Sequence, residues 1–200
     1  MKGSRESGAG RWTVIQVPTM SFYEYCELLN LERPNIPPNL KVTTMLQKSQ
    51  IERTQIMMQL SKVQNHFMRY LQVGGFPELA LADNDLMAQQ IMREDVVDKV
   101  LKRDLPSLYN IRNATELERI FLYLCNVSSE IISIEAITKE LNGVSRTTVE
   151  NYIQYLESAN LIYQSWPVDM AGKKILKARP KIYIADAAIR NAVLMDDSIL

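Results

Sequence analysis

The sequence predicts a mainly α protein with a small β component. Apolar residues make up 46% of the 200 residues, a fraction typical of chains that fold around a hydrophobic core. Glycine is scarce, at seven residues, and methionine is plentiful, at ten, which favours helices over a glycine-rich β-sandwich. Apolar side chains also recur at helical spacing along much of the chain. A chain of this length can form one large domain or two small ones.

The first 30 residues are predicted to form one strand and one helix. Residues 12–17, WTVIQV, are β-branched and aromatic, which is typical of a strand, and Pro18 ends it. Ser21 and Glu24 have the spacing of a capping box at the start of the helix SFYEYCELLN. A single strand needs neighbours to satisfy its backbone groups, so this one predicts further strands in a preceding part of a longer protein.

Residues 31–113 are predicted to be helical after a long exposed loop. The loop is residues 31–49, which contain three prolines and little periodicity. A helix with apolar positions between Leu60 and Leu71 is expected to end at Gly74. A further amphipathic helix is predicted from Asp83 to Asp104, with Pro106 closing it.

A change of pattern near Asn113 predicts a domain boundary, followed by a second domain over residues 114–200. The domain is predicted to begin with a helix capped by Thr115, a β-like run from Glu130 to Ser133 and a helix from Ile134 to Leu141. A turn at Asn142 and Gly143 then leads to a third helix, capped by Ser145 or Thr147. A hairpin follows, with strands at 161–166 and 181–185. This order is that of a winged helix-turn-helix domain.

The charge distribution leaves two kinds of partner open for the winged helix. Lysine plus arginine and aspartate plus glutamate both number 23, so nucleic-acid binding would need a local basic patch. The hairpin supplies five cations within nine residues: Lys173, Lys174, Lys177, Arg179 and Lys181. They can bind phosphates, or they can simply solubilise the tip of a hairpin. On the third helix Arg146, Asn151 and Gln154 are further DNA-binding candidates, but two glutamates there favour a protein partner.

The residue inventory excludes several kinds of catalytic site. With one histidine, His66, the chain has too few ligands for a clustered zinc site, and His66 stands in a helical pattern. The Gly172-Lys173 pair lacks the remaining residues of a phosphate-binding P-loop. No metal or cofactor site is therefore predicted, and this chain alone should not hydrolyse ATP.

The same inventory predicts a cytoplasmic protein. Cys26 and Cys125 stand far apart, which is typical of free buried thiols in a reducing compartment. No apolar run approaches the length of a membrane span, and the first residues lack the apolar stretch of a signal peptide. No membrane partner is expected.

Three stretches resemble a known family. They are GRWTVIQVPTMSFYEYCELL, then YLQVGGFPEL with VVDKVLKRDLPSLYNI, and finally TVENYIQYLESANLIYQ with PKIYIADAAIRNAVL. Their order and spacing resemble the C-terminal portion of the prokaryotic "ATP-binding protein" group of AAA-type ATPases. In that family an ATPase core precedes a winged helix, and a restriction-nuclease-like domain of unknown function usually follows. The resemblance spans roughly residues 8–194 and implies that residues 1–30 are the tail of the core and residues 31–113 a helical lid-like domain.

The resemblance also implies roles for individual residues. Arg11 takes the position of an arginine finger, which grips phosphate oxygens from a neighbouring subunit. Gly75-Phe76-Pro77 resembles the element that brings the lid against the nucleotide, although a helix stop and a helix start would explain the same residues. ATP, Mg²⁺ and a homo-oligomer are implied for the parent protein. Its P-loop core would precede Gly3, and the nuclease-like domain would follow Leu200.

The hypothesis for function is a non-catalytic fragment of an AAA-type ATPase. It would couple the nucleotide state of an absent P-loop core to a winged-helix interaction module. The alternative is a free-standing winged-helix protein that binds DNA through its basic wing. A complete enzyme is disfavoured by the residue inventory.

Overall fold

A computed structural model of the protein describes residues 13, 15, 17–37, 39–168 and 178–194. Of these described residues 62% are helical, and they include a small two-stranded sheet. The predicted class, mainly α with a small β component, is thus confirmed at this level.

The first helix, α1 (Phe22–Leu28), begins where the sequence predicts. The Ser21 hydroxyl accepts a hydrogen bond from the Glu24 amide at 3.4 Å, and the Ser21 amide donates to Glu24 Oε2 at 2.8 Å. The predicted strand over residues 12–17 lies partly outside the described residues, which do not include Trp12, Val14 and Gln16. Its described residues, Thr13, Ile15 and Val17, are not part of a strand, and the described chain provides no neighbouring strand to pair with them.

The predicted loop over residues 31–49 contains a short helix, α2 (Val42–Leu46). The prediction of a loop throughout is wrong here, because the Thr44 hydroxyl accepts from the Lys41 amide at 3.1 Å and stabilises one turn. The long helix α3 (Gln50–Val73) begins ten residues before Leu60, behind a second capping box formed by Ser49 and Glu52. It ends at Gly74, as predicted.

The next helical stretch continues past Pro106, so the prediction that this proline closes the helix is wrong. After α4 (Pro77–Ala80), α5 (Asp85–Ile91) passes into two π-helical segments, Met92–Asp98 and Val100–Asp104, and then into α6 (Leu105–Tyr109). Pro106 is the second residue of α6, where the π-helical turns of the preceding segment pass into α-helix. Asn110, in the left-handed conformation, ends the stretch.

Three helices follow, as predicted: α7 (Ala114–Asn126), α8 (Ile134–Glu140) and α9 (Arg146–Ser158). Asn113, and not Thr115, stands at the start of α7. Thr115 already lies inside the first turn, where its hydroxyl cannot cap the helix that contains it. Of the two capping candidates for α9, the structure selects Ser145, whose hydroxyl accepts from the Thr148 amide at 3.1 Å.

The sheet is an antiparallel hairpin of β1 (Ile162–Ser165) and β2 (Lys181–Ile184), with Tyr163 opposite Tyr183. The predicted β-like run from Glu130 to Ser133 contributes an isolated bridge, in which Ile131 pairs with Lys181. The described elements of residues 114–184 therefore follow the order helix, bridge, helix, helix, hairpin.

A last helix, α10 (Ala187–Leu194), returns to the first half of the molecule. It packs against α3, α5, α7 and the first π-helical segment, and its Ala188, Ile189 and Ala192 are buried. Buried apolar residues on both sides of Asn113 consequently form one continuous core. The predicted division into residues 1–30, 31–113 and 114–200 stays a prediction.

Candidate functional site

The turn at Gly74 and Gly75 is tightly packed against Asp186 and Met20. Gly74 has a φ of +80°, and a Cβ atom there would lie 2.7 Å from Asp186 Oδ1. A Cβ atom on Gly75 would lie 2.4 Å from the Met20 carbonyl oxygen. Real Cβ atoms essentially never come that close to another atom, so both positions require glycine.

The backbone of Gly75 is hydrogen-bonded on both sides. Its amide donates to Asp186 Oδ2 at 2.9 Å, and its carbonyl accepts from the Met20 amide at 2.7 Å. Asp186 is buried, and its Oδ1 accepts from the Ala188 amide at 2.9 Å, at the start of α10. The Tyr70 hydroxyl, one turn before the end of α3, donates to the Met20 carbonyl at 2.7 Å. The turn thus connects the segment before α1 to the segment before α10.

These hydrogen bonds limit which atoms of Gly75-Phe76-Pro77 are available to contact a nucleotide. The amide and carbonyl of Gly75 already have partners within the chain, and Gly75 is buried. Phe76 is half-buried, whereas Pro77 is exposed at the start of α4. A direct nucleotide contact would therefore use Phe76 and Pro77, and its assignment to this element stays a prediction.

The proposed basic wing is only partly described. Lys173, Lys174 and Lys177 lie outside the described residues, and so does Arg11. Arg179 and Lys181 are exposed; Lys181 begins β2, and Arg179 lies two residues before it.

The three candidates on α9 lie on its exposed face, but Arg146 is held by acids. Its Nη1 lies 2.7 Å from Glu135 Oε1, and its Nε lies 2.8 Å from Glu150 Oε1. The pKa of Glu135 lies below its usual value because hydrogen bonds from its own amide and from the Ser133 hydroxyl, and then the charge of Arg146, favour the carboxylate. Asn151 and Gln154 are exposed. One cation balanced by two carboxylates gives this face no excess positive charge for phosphates.

Beside these residues lies a groove between α8, α9 and the hairpin, with a volume of about 450 Å³. Its lining combines an apolar floor with charged, amide and aromatic side chains; among them are Ile132, Ile153, Pro180, Gln154, Arg179 and Trp166. Trp166 is half-exposed, and the sequence pattern had not singled it out. The groove brings together three candidates from two separate parts of the sequence: Arg146, Gln154 and Arg179.

A family described as a domain of unknown function (DUF8612) matches residues 64–199. The chain belongs to this family. The matched range of the DUF8612 family includes the glycine turn, the α9 face and Asp186, whereas Met20 and the first part of α3 precede it.

Two curated relatives are considerably longer than this chain. "Uncharacterized protein MJ1544" of Methanocaldococcus jannaschii is 28% identical over 138 residues, which cover 67% of this chain and 31% of that protein. An "Uncharacterized protein" of Haemophilus influenzae is 23% identical over 186 residues, which cover 91% of this chain and 40% of that protein. The chain therefore spans less than half the length of each. No solved structure matches the chain.

Two further findings concern membrane-spanning helices and metal sites among the described residues. No helix among them is long and apolar enough to cross a membrane. Within the same described ranges, no three histidine, cysteine, aspartate or glutamate side chains lie together as a metal site would require.

A further surface that the sequence reasoning missed lies along α3. Its exposed or partly exposed apolar residues Met57, Leu60 and Phe67 form, with Phe22 of α1, a hollow of about 500 Å³. The spacing of three and seven residues along one helix face was present in the sequence, but the sequence alone does not show which face lacks a cover.

Proposed function

We propose that this chain is the non-catalytic part of a longer AAA-type ATPase, in which a helical lid and a winged-helix module pass on the nucleotide state of a P-loop core. The observation that carries this proposal is the double connection of Gly75. Through its carbonyl it is bonded to Met20, at the end where the resemblance expects the core, and through its amide to Asp186, beside β2 and α10. A displacement of Met20 on one side of this turn would therefore be transmitted to Asp186 on the other side.

Two observations support the assignment. The order helix, bridge, helix, helix, hairpin in residues 114–184 is the order of a winged helix. Both curated relatives have more than half of their length outside the match, which leaves room for an ATPase core in proteins of this kind.

The proposal predicts a P-loop, G-x-x-x-x-G-K-[ST], encoded in frame before Met1. The protein expressed from that longer reading frame should hydrolyse ATP. Arg11→Ala in it should lower turnover about a thousandfold or more while nucleotide still binds, because the guanidinium stabilises charge that develops in the transition state. Turnover and nucleotide binding are measured on the same preparations.

The neighbouring Arg5→Ala is the matched control and should keep full turnover. An upstream sequence without a P-loop, or a longer protein without ATPase activity, would refute the assignment to an ATPase. Full turnover in Arg11→Ala would refute only the arginine finger.

The winged-helix module is proposed to bind protein, because Arg146 is neutralised by Glu135 and Glu150. The alternative, DNA binding through the wing, is favoured by the exposed Arg179 and Lys181. Fluorescence anisotropy with a labelled random duplex, at low and at physiological salt, separates the two. Protein binding predicts no salt-sensitive duplex binding. Micromolar binding that is lost when Lys173, Lys174 and Lys177 become alanine would establish the DNA alternative.

A further inference from the structure

Four hydrogen bonds connect the end of α3, the segment before α1, the glycine turn and the start of α10. The Tyr70 hydroxyl donates to the Met20 carbonyl, and the Met20 amide donates to the Gly75 carbonyl, both at 2.7 Å. The Gly75 amide donates to Asp186 Oδ2, and the Ala188 amide donates to Asp186 Oδ1, both at 2.9 Å. We name this series the Asp186 relay. The two bonds of Met20 are made by neighbouring peptide groups that share its Cα atom, and the same holds for Gly75, so the series continues through the backbone of these two residues.

The relay has little room to deform. Asp186 Oδ1 is packed where a side chain on Gly74 would have to lie, and the Met20 backbone is packed in the same way against Gly75. At the far end, α10 is held to the helices of the first half, because Asn191 Nδ2 donates to the Leu71 carbonyl at 3.3 Å. Close-packed contacts of this kind transmit displacement rather than absorb it.

We propose that Asp186 is a positioning residue that couples the segment at Met20 to the docking of α10 through Gly75. A movement of Met20 displaces the Gly75 carbonyl and, through the Gly75 Cα atom, the Gly75 amide; the carboxylate then loses one donor, and the start of α10 loses its cap. A carboxylate suits this role because its two oxygens accept from two amides at once. The inference rests on the proposed function only for the origin of the movement, in the ATPase core; the coupling itself is a property of this chain.

The coupling predicts that Asp186→Asn loosens residues beyond its own contacts. An asparagine offers one acceptor and one NH₂ group, so it can satisfy only one of the two amides. NMR-detected amide exchange of the intact chain should become about tenfold faster at Gly75 and Ala188 and also at Met20, which Asp186 does not touch.

Glu157→Gln is the matched control. Glu157 also accepts a backbone amide and a side-chain amide, both from Gln164, at 3.1 and 2.7 Å, but it acts within residues 157–164. Its variant should change exchange at Gln164 and leave Met20 and Ala188 unchanged. If Asp186→Asn changes exchange at Gly75 and Ala188 but not at Met20, the carboxylate is a local cap and the coupling is refuted.

Tyr70→Phe tests the relay from the opposite end and keeps the ring that packs against Phe22 and Tyr25. It should speed exchange at Ala188 severalfold, although Tyr70 is not bonded to that residue. In a double-mutant cycle, Tyr70→Phe and Asp186→Asn should be non-additive, because they break the same series of bonds. Additive effects and an unchanged Ala188 amide would overturn the proposal. These measurements need no nucleotide, so an absent ATPase core would leave their outcome intact.

Discussion

Arg69 of α3 connects three parts of the helical region with one guanidinium group. Its Nε donates to Asp85 Oδ1 at 2.8 Å, and its Nη1 donates to the Tyr25 hydroxyl at 2.8 Å and to the Ala80 carbonyl at 3.0 Å. Its Nη2 donates to the Ala82 carbonyl at 3.3 Å. The planar fork of a guanidinium can supply these directions together, whereas an ammonium group cannot.

Arg69→Lys should therefore lower the free energy of unfolding by about 2–3 kcal/mol, since several partly buried acceptors lose their donor. Urea unfolding followed by circular dichroism measures the loss. Arg53→Lys, on the exposed part of the same helix, should change stability by less than about 0.5 kcal/mol. Equal effects of the two variants would show that the contacts of Arg69 contribute nothing specific.

The two cysteines should be unreactive in the folded protein. Burial raises the pKa of Cys125 to about 12, and burial also raises the pKa of Cys26. Because the thiolate is the reactive form, at pH 8 both groups should stay protonated and react with a thiol reagent only when the chain unfolds. Counting labelled thiols with and without urea tests this: none and then both are expected. Rapid labelling of the native protein would contradict the buried positions.

Among the elements, α9 tests whether the residue that caps a helix is assigned correctly. The sequence left Ser145 and Thr147 open as its cap, and the structure places the Ser145 hydroxyl on the Thr148 amide. Ser145→Ala should cost about 1 kcal/mol of stability, the usual value of a helix cap, whereas Thr147→Ala should cost almost nothing because Thr147 is exposed inside the first turn. Thermal unfolding of both variants decides it; a larger loss for Thr147→Ala would reverse the assignment.

Elements with strong local signals could be predicted from the sequence. The capping box at Ser21, the stop at Gly74 and the turn at Gly143 depend on neighbours within a few residues, and all three are present. The same rule applied to Ser49 and Glu52 would have placed the start of α3 correctly. Pro106 misled the prediction because its effect depends on where it lies in a helix, and a sequence does not show that a new α-helical turn begins there.

The candidate site could be predicted less well, because its contacts join residues far apart in the chain. Nothing near Asp186 in the sequence indicates that it meets Gly75, 111 residues away. Likewise the outward position of Arg146 was predictable from helical periodicity, but its neutralisation by Glu135, on a different helix, was not. Local patterns located Gly75 and Arg146 but not Asp186, and only the tertiary structure identified the partners of all three.

At the scale of the whole molecule, the packing of α10 against helices of the first half predicts that the chain unfolds cooperatively. Two independent domains divided near Asn113 would unfold in separate steps, whereas the buried residues on both sides of Asn113 form one cluster. Ile189 of α10 is 2% exposed and lies in this cluster. We therefore expect one urea transition, with coincident midpoints for helical circular dichroism and for the amide signals of residues in α3 and in α9.

Ile189→Ala tests the same expectation, a single unfolding transition, by weakening the shared core. Removing a buried isoleucine side chain should cost about 2–4 kcal/mol and lower the midpoints of α3 and α9 together, because both depend on the shared core. Asn151→Ala, on the exposed face of α9, is the control and should move neither midpoint by a measurable amount. If Ile189→Ala lowers the α9 midpoint and leaves α3 unchanged, the boundary near Asn113 separates two independent units, and α10 rests against the helical region without stabilising it.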